Sequence, residues 1–141
     1  MKQLFETGSY EVEPEVMERI CADFGAACAD DATAAAQIRS LFEKEGYLCD
    51  PHTAVAFSAA VRNKGEAPMV VLSTASPFKF PKDVLAALGQ TLSEDEFEAM
   101  AALAQYAGQP APQALAVLRS LPERFDKTIS PESLRDVVLG E

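Results

Sequence analysis

The stretch "MVVLSTA", residues 69–75, decides how the fold of this chain is understood. Its apolar, β-branched residues stand between two prolines, a pattern that indicates a buried strand at residues 69–74 in a parallel sheet covered on both faces. Such a strand needs a neighbour at each edge, because every unsatisfied buried backbone group costs roughly 1 to 3 kcal/mol. The weak strand patterns near Tyr10 and Tyr47 offer at most short partners. We therefore expect the rest of the sheet to lie outside this sequence.

Helical patterns occupy most of the remaining chain. Apolar residues three and four positions apart, with capping residues and glycines at the ends, predict about seven helices. They are expected at about residues 14–28, 51–64, 81–89, 94–107 and 111–120, after Pro131, and between a cap at Asp30 or Asp31 and an end at Gly46. The predicted fold class is an α/β fragment that is mostly helical, with about seven helices, the one buried strand and at most short extra strands.

Two of these helices carry specific expectations. In the first, the apolar stripe that includes Val16 and Ile20 is expected to face a core. In the helix at residues 94–107, Ser93 and Glu96 are expected to form a capping box at the amino end.

The composition excludes several classes of protein. Asp and Glu number 22 against 12 Lys and Arg, and the resulting net charge of -10 repels phosphate backbones, so we expect no nucleic-acid binding. No apolar run approaches the roughly 20 residues needed to span a membrane, so no membrane association is predicted either. The amino terminus is rich in Glu and lacks an apolar leader, which predicts a cytoplasmic protein.

Metal and nucleophile patterns are weak. Cys21, Cys28 and Cys49 are odd in number and form no CxxC pair, which favours reduced packing cysteines and predicts no metal site. Ser76 and Lys79 match the Ser-x-x-Lys of serine acyl-enzymes, but the companion motifs are absent and a pattern with two defined positions arises by chance. A small serine hydrolase is therefore a minor alternative.

Two features remain as potential ligand contacts. The helix start from Asp50 to Thr53 presents free N–H groups to an anion, unless Asp50 caps them itself. The single histidine, His52, stands in this capped helix start, where a structural role is more common than a catalytic triad. Ser73 and Thr74 lie at the carboxyl end of the predicted strand, where open α/β sheets bind ligands. The alternative for Thr74 is a hydroxyl that satisfies a turn.

The sequence "GYLCDPHTAVAFSAA" at residues 46–60, followed by "VVLSTASPFKFP" at residues 70–81, resembles the C-terminal part of threonine synthase. Enzymes of this family are fold-type II pyridoxal-phosphate enzymes that convert O-phospho-L-homoserine and water to L-threonine and phosphate. The resemblance implies a twisted sheet with helices on both faces. It also implies that residues 1–89 belong to the catalytic region and that residues 90–141 form a helical extension packed on it.

The resemblance also implies roles for two side chains. Thr74 occupies the family's "LSTA" position, where a hydroxyl hydrogen-bonds the pyridine nitrogen of the cofactor. Lys79 lies in the family's Lys-Phe block and is expected to contribute to substrate binding. Ser76 and Phe78 stand where the better-known family pattern has His and Ala, so the role of that His has no counterpart here.

Two parts of the family pattern are missing from the sequence. The Schiff-base Lys lies in a Ser-Phe-Lys-Asp type block, and the cofactor phosphate is held by a Gly/Asn-rich loop; neither occurs here. We therefore expect no catalytic residue in this chain, no activity in isolation, and pyridoxal 5'-phosphate bound only when the remainder of the threonine synthase chain is present. The alternative is a free-standing acidic helical module that binds a protein partner and has no enzymatic activity.

Overall fold

The structure is a computed structural model in which residues 2–124 and 128–140 are described. The chain divides into two units, Met1–Ala111 and Pro112–Glu141. The described helices of the first unit are α1 (Lys2–Thr7), α2 (Pro14–Asp23), α3 (Asp31–Glu45), α4 (Pro51–Arg62), α5 (Pro81–Ala87) and α6 (Glu96–Ala107). Those of the second unit are α7 (Gln113–Ala116) and α8 (Leu134–Leu139). Short 3-10 helices are found at Pro77–Lys79, Val117–Ser120 and Pro131–Ser133.

The core of the first unit lies where α3, α4, α5 and α6 meet. Helix α3 packs against α4 and α5, and α5 packs against α6. These helices bury apolar side chains that recur at helical spacing. The buried apolar residues are Ala34, Ile38, Leu48, Cys49, Ala54, Phe78, Val84, Leu85, Ala87, Leu88, Ala99, Met100 and Leu103.

Helix boundaries follow from capping residues. Asp30 accepts a hydrogen bond from the Thr33 N–H at 2.8 Å and begins α3, which ends at Gly46 with a left-handed φ of 65°. Asp50 caps α4, and Pro51 occupies its first position, where a missing N–H costs nothing.

The start of α6 differs from its expectation. Asp95, not Ser93, is the N-cap, because its carboxylate accepts from the N–H groups of Phe97 at 2.8 Å and Glu98 at 2.9 Å. The Ser93 hydroxyl instead accepts from the Asp95 N–H at 3.2 Å and donates to the Glu98 carboxylate at 2.7 Å. The predicted capping box of Ser93 with Glu96 is therefore wrong, since a carboxylate two residues nearer to the helix takes the free donors.

The predicted fold class, a mostly helical fragment, is confirmed, with eight α-helices in the described residues where about seven were expected. Helix α1 is the addition. The predicted buried strand at residues 69–74 is not formed: Val70 is 81% exposed and Leu72 is 74% exposed. No strand occurs anywhere in residues 2–124 or 128–140, including the stretches near Tyr10 and Tyr47. Residues 69–74 therefore have no backbone to pair with, which is the physical reason for the difference.

Two further features concern the exposed surfaces. Helix α2 buries none of its residues, so the stripe expected to face a core, with Val16 at 46% and Ile20 at 43% exposure, is on the surface. No helix in the described part of the chain is long and apolar enough to cross a membrane. The assignment of residues 1–89 and 90–141 to two regions of a longer enzyme stays a prediction.

Candidate functional site

The amino end of α4 carries a network of hydrogen bonds centred on Asp50. This carboxylate is fully buried and accepts from the backbone N–H groups of His52 at 3.0 Å and Thr53 at 3.4 Å. Its second oxygen accepts from the Thr53 hydroxyl. The free donors of the helix start are thus used by Asp50 itself, so this helix end is not open to a bound anion.

The pKa of Asp50 reflects two opposing effects. Burial alone would raise the pKa, because desolvation disfavours the charged carboxylate. The hydrogen bonds from the Thr53 hydroxyl, from the Thr53 and His52 N–H groups and from the His52 ring outweigh burial and lower the pKa below its ordinary value. Asp50 is therefore an ionised carboxylate inside the protein at neutral pH.

His52 is held by this carboxylate at one ring nitrogen. Its Nδ1 lies 3.1 Å from Asp50 Oδ1, and its ring packs against Phe80 with centroids 5.0 Å apart. An ionised carboxylate only accepts, so Nδ1 of His52 is the donor in this contact. Because it contacts both Asp50 and Phe80, the histidine links the start of α4 to the segment that leads into α5. Its side chain is 67% exposed.

Ser76 has a local structural role. Its hydroxyl accepts from the Phe78 N–H at 3.3 Å and caps the 3-10 helix Pro77–Lys79. In the described part of the chain, the Ser76 hydroxyl makes no hydrogen bond to the Lys79 ammonium group or the His52 ring. The arrangement offers no activated nucleophile and gives no support to the serine hydrolase alternative.

Thr53 connects α4 to the segment that contains Thr74. The hydroxyl oxygens of Thr53 and Ser73 lie 3.3 Å apart, which places residue 73 over the amino end of α4. The predicted contact residues, Thr74 and Lys79, are both exposed, and the Thr74 hydroxyl makes no hydrogen bond within residues 2–124 and 128–140. The structure thus brings the helix start at residues 50–53 next to residues 73–80, two features that the sequence had suggested separately.

Sequence reasoning missed the part that Thr53 plays. The available signal was a polar side chain three positions after an Asp N-cap, on a helix whose other residues are almost all small or apolar. A buried hydroxyl at that place requires partners. The identity of the second partner, Ser73, depends on tertiary structure because it lies 20 residues further along the chain.

The three cysteines are free and have different environments. Cys49 is 1% exposed, whereas Cys21 and Cys28 are exposed. Burial, together with the negative charge of Asp50, raises the pKa of the Cys49 thiol to about 11. Of the three, only Cys49 therefore has the packing role expected. Among the described residues, no three His, Cys, Asp or Glu side chains are grouped so that they could hold a metal ion.

Two grooves flank the segment from Met69 to Leu72 where it lies over α4. One has a volume of about 350 Å³ and is lined by residues that include Phe57, Val61 and Val71. The other, of about 310 Å³, is lined by residues that include Ala56, Val71 and Leu72. The segment is therefore supported by α4 beneath it and is open on both sides.

Comparison with known protein families identifies the larger part of the chain. Residues 53–138 match the family model "Threonine synthase, C-terminal". Threonine synthase-like 1 of Macaca fascicularis is 34% identical over 87 residues, covering 61% of this chain and 12% of the relative. Threonine synthase of Schizosaccharomyces pombe is 32% identical over 93 residues, covering 62% of this chain and 18% of the relative.

A solved structure shows the same similarity in three dimensions. The crystal structure of threonine synthase from Brucella melitensis with bound pyridoxal phosphate matches with a TM-score of 0.69 and 32% identity. The match covers 89% of this chain and 24% of that chain. This chain thus spans less than a fifth of those two relatives and about a quarter of the solved enzyme.

Proposed function

The chain belongs to the threonine synthase C-terminal family, and on that premise we propose that it is the C-terminal portion of an enzyme that makes L-threonine. The proposed parent reaction converts O-phospho-L-homoserine and water to L-threonine and phosphate. The observation that carries the proposal is the match of 89% of this chain to one quarter of a threonine synthase that holds pyridoxal phosphate.

The residues present fit one edge of a cofactor site. Thr74 presents an exposed hydroxyl that has no partner in the described part of the chain, so it can donate a hydrogen bond to a pyridine nitrogen. A neutral hydroxyl partner leaves that nitrogen unprotonated, whereas a carboxylate would favour its protonated form. When bound, pyridoxal phosphate supplies an electron-withdrawing ring that stabilises negative charge on the substrate carbons. Thr74 would orient that ring and weaken its electron withdrawal.

Lys79 is proposed as a substrate-binding residue. It is exposed at the end of the 3-10 helix Pro77–Lys79, with its backbone N–H donated to the Ser76 carbonyl at 3.0 Å. The helix thus orients the backbone from which the ammonium group extends. A lysine ammonium binds phosphate as a point charge, so it can attract the phosphate of O-phospho-L-homoserine.

The proposed partner is the remainder of the threonine synthase chain. Val70 and Leu72 are exposed on a segment with an open groove on each side, and its apolar, β-branched residues are those of a buried strand. Strands contributed by the remainder would occupy both grooves and pair with the backbone of residues 69–74. The proposal thus accounts for the contrast between the sequence pattern and the exposure.

We expect this chain alone to be inactive, since it contains no Ser-Phe-Lys-Asp block to attach the cofactor. The test is to titrate the isolated chain and the full-length enzyme with pyridoxal phosphate and record visible absorbance. Only the full-length enzyme should show the band of lysine-bound cofactor and release phosphate from O-phospho-L-homoserine. Lysine-bound cofactor in the isolated chain, trapped by borohydride, would contradict the proposal.

Thr74→Val tests the cofactor contact in the full-length enzyme. Loss of one hydrogen bond that orients the ring should lower kcat about tenfold or more, with the folded state unchanged because valine has nearly the same shape as threonine. Thr74→Ser keeps the hydroxyl and should retain most of the activity. Steady-state kinetics and the absorbance of the bound cofactor measure the effect; unaltered kinetics for Thr74→Val would refute the assignment.

A second candidate function is a free-standing acidic interaction module. The exposed apolar residues of α2, including Val16 and Ile20, favour it, because such a surface is typical of a protein interface. The reading frame upstream of Met1 distinguishes the two functions. A frame that continues upstream into a Ser-Phe-Lys-Asp block supports the enzyme. An in-frame stop codon upstream of Met1 would support the module.

A further inference from the structure

The connection from Gly65 to Ala75 is held to the helices by little hydrogen bonding. Within residues 2–124 and 128–140, one hydrogen bond joins this connection to another part of the chain, the contact between the Thr53 and Ser73 hydroxyls. Because Ser73 is bonded directly to Thr74, this contact fixes the backbone next to the proposed cofactor ligand. In this chain, where residues 69–74 have no strand neighbours, the position of Thr74 therefore depends on what holds Thr53.

Thr53 is itself held firmly. Its side chain is 1% exposed, and its hydroxyl donates to the buried carboxylate of Asp50. A hydroxyl has a single proton, so with that proton directed to Asp50, Thr53 is the acceptor and the Ser73 hydroxyl is the donor across the 3.3 Å contact. The order Asp50, Thr53, Ser73 is a chain of hydrogen bonds that begins at an ionised group and ends beside Thr74.

We propose that Thr53 is a positioning residue of the parent enzyme, which acts through Ser73 to hold the Thr74 hydroxyl at the pyridine nitrogen. This inference rests on the proposed function of Thr74. The geometric reason is that adjacent Cα atoms are about 3.8 Å apart, so a shift of residue 73 is transmitted to residue 74. A hydrogen bond weakens as its donor and acceptor atoms move apart, so a shift of about 1 Å at residue 74 weakens the contact between the Thr74 hydroxyl and the pyridine nitrogen.

The competing explanation is that Thr53 merely completes the start of α4. Ser58 provides the comparison, because it is also buried on α4 and its hydroxyl donates to a carbonyl of the same helix, that of Ala54, at 3.0 Å. Ser58 makes no hydrogen bond to the connection at residues 65–75 in the described structure. A general loss of helix stability should thus follow from changes at either residue, whereas loosening of Thr74 should follow only from changes at Thr53 or Ser73.

The first experiment measures the backbone of this chain without any cofactor. Amide ¹⁵N relaxation should give backbone order parameters of about 0.85 at residues 73 and 74 of the wild type. In Thr53→Val the order parameters of these residues should fall below about 0.6. Ser73→Ala removes the other partner at an exposed position, so it should give the same loss without affecting the core. Thr53→Ser and the control Ser58→Ala should keep the wild-type values. Unchanged order parameters in Ser73→Ala would overturn the proposal.

The second experiment uses the full-length enzyme and separates this inference from the function on which it rests. Thr53→Val and Ser73→Ala should lower kcat about tenfold and shift the cofactor absorbance as Thr74→Val does, and Thr53→Ser should restore both. If Thr74→Val has no effect on kinetics or absorbance, the proposed cofactor contact of Thr74 is overturned, and so is the proposed positioning role of Thr53. If Thr74→Val impairs the enzyme while Ser73→Ala has wild-type kinetics and absorbance, the positioning role alone is overturned.

Discussion

Asp50 combines three tasks in one side chain. It caps α4, it orients His52 through Nδ1, and it accepts a hydrogen bond from the Thr53 hydroxyl. A fully buried carboxylate is costly unless hydrogen bonds compensate for its lost hydration, and four donors do so here. The sequence motif Asp-Pro indicated the cap, but the other two tasks follow from the folded geometry.

The lowered pKa of Asp50 predicts a pH dependence of stability. A carboxylate whose folded pKa lies below its unfolded value of about 3.8 stabilises the protein fully at higher pH, and this contribution is lost as the pH falls through the folded pKa. Asp50→Asn should therefore be less stable than wild type at pH 7, and the difference should shrink below about pH 4.

Urea denaturation of both proteins between pH 7 and pH 2.5 measures this difference. Asp83→Asn is the control, because it removes an exposed carboxylate from α5. At pH 7 the control should lose less stability than Asp50→Asn, because the Asp83 side chain is exposed. A difference between Asp50→Asn and wild type that does not change with pH would contradict the assigned role.

The environment of Cys49 predicts selective labelling. Its thiol is buried and has a pKa of about 11, so it should be almost entirely protonated and inaccessible at pH 8. A thiol reagent should modify Cys21 and Cys28 in the folded chain and reach Cys49 only in urea. Mass spectrometry after brief labelling gives the number of modified cysteines. Three modified cysteines in the folded chain would disprove the prediction.

At the scale of helices, ends were predictable where one residue dominates. Gly46 ends α3 in a left-handed conformation, as its residue type indicated, and Asp30 begins it, one of the two candidates, Asp30 and Asp31, that the sequence offered. The start of α6 was harder because Ser93 and Asp95 are both good caps, and a carboxylate adjacent to the helix accepts two N–H groups at once. Which of two neighbouring residues caps a helix depends on small differences in backbone geometry, and these cannot be predicted from residue type.

Gly46 predicts a measurable cost for a side chain at the end of α3. Its φ of 65° is unfavourable for other residues, so Gly46→Ala should lower the free energy of unfolding by about 1 kcal/mol. Gly65→Ala is a matched control, because neither glycine has atoms within 4 Å of an added Cβ and only Gly46 has a positive φ. Urea denaturation compares them; an equal loss in both variants would show that backbone conformation is not the cause.

At the scale of the whole molecule, the segment 69–74 differs from the helical core in leaving large apolar side chains exposed. Leu72 is 74% exposed, whereas Leu103 on α6 is fully buried. Leu72→Asp should change the stability of this chain by less than about 0.5 kcal/mol, while Leu103→Ala should cost about 2 to 5 kcal/mol.

The same substitution should behave differently in the full-length enzyme. There, Leu72 is proposed to lie in a sheet, so Leu72→Asp would bury a charge and should abolish the soluble folded enzyme or its activity. Urea denaturation of this chain and of the full-length enzyme, each with and without Leu72→Asp, measures the change in the free energy of unfolding. Full activity of the Leu72→Asp enzyme would contradict the proposed strand neighbours.

The sequence by itself determined most of the helices, the cap at Asp50 and the family, because amphipathic spacing, capping residues and the Asp-Pro-His-Thr and Leu-Ser-Thr-Ala blocks are local properties of the chain. It also indicated that residues 69–74 have the character of a strand. Only the tertiary structure decided that this segment is unpaired here and that Thr53 meets Ser73, since both depend on which distant groups are near. A strand exists only when another backbone supplies its hydrogen bonds, and no residue pattern can provide that partner from within one segment.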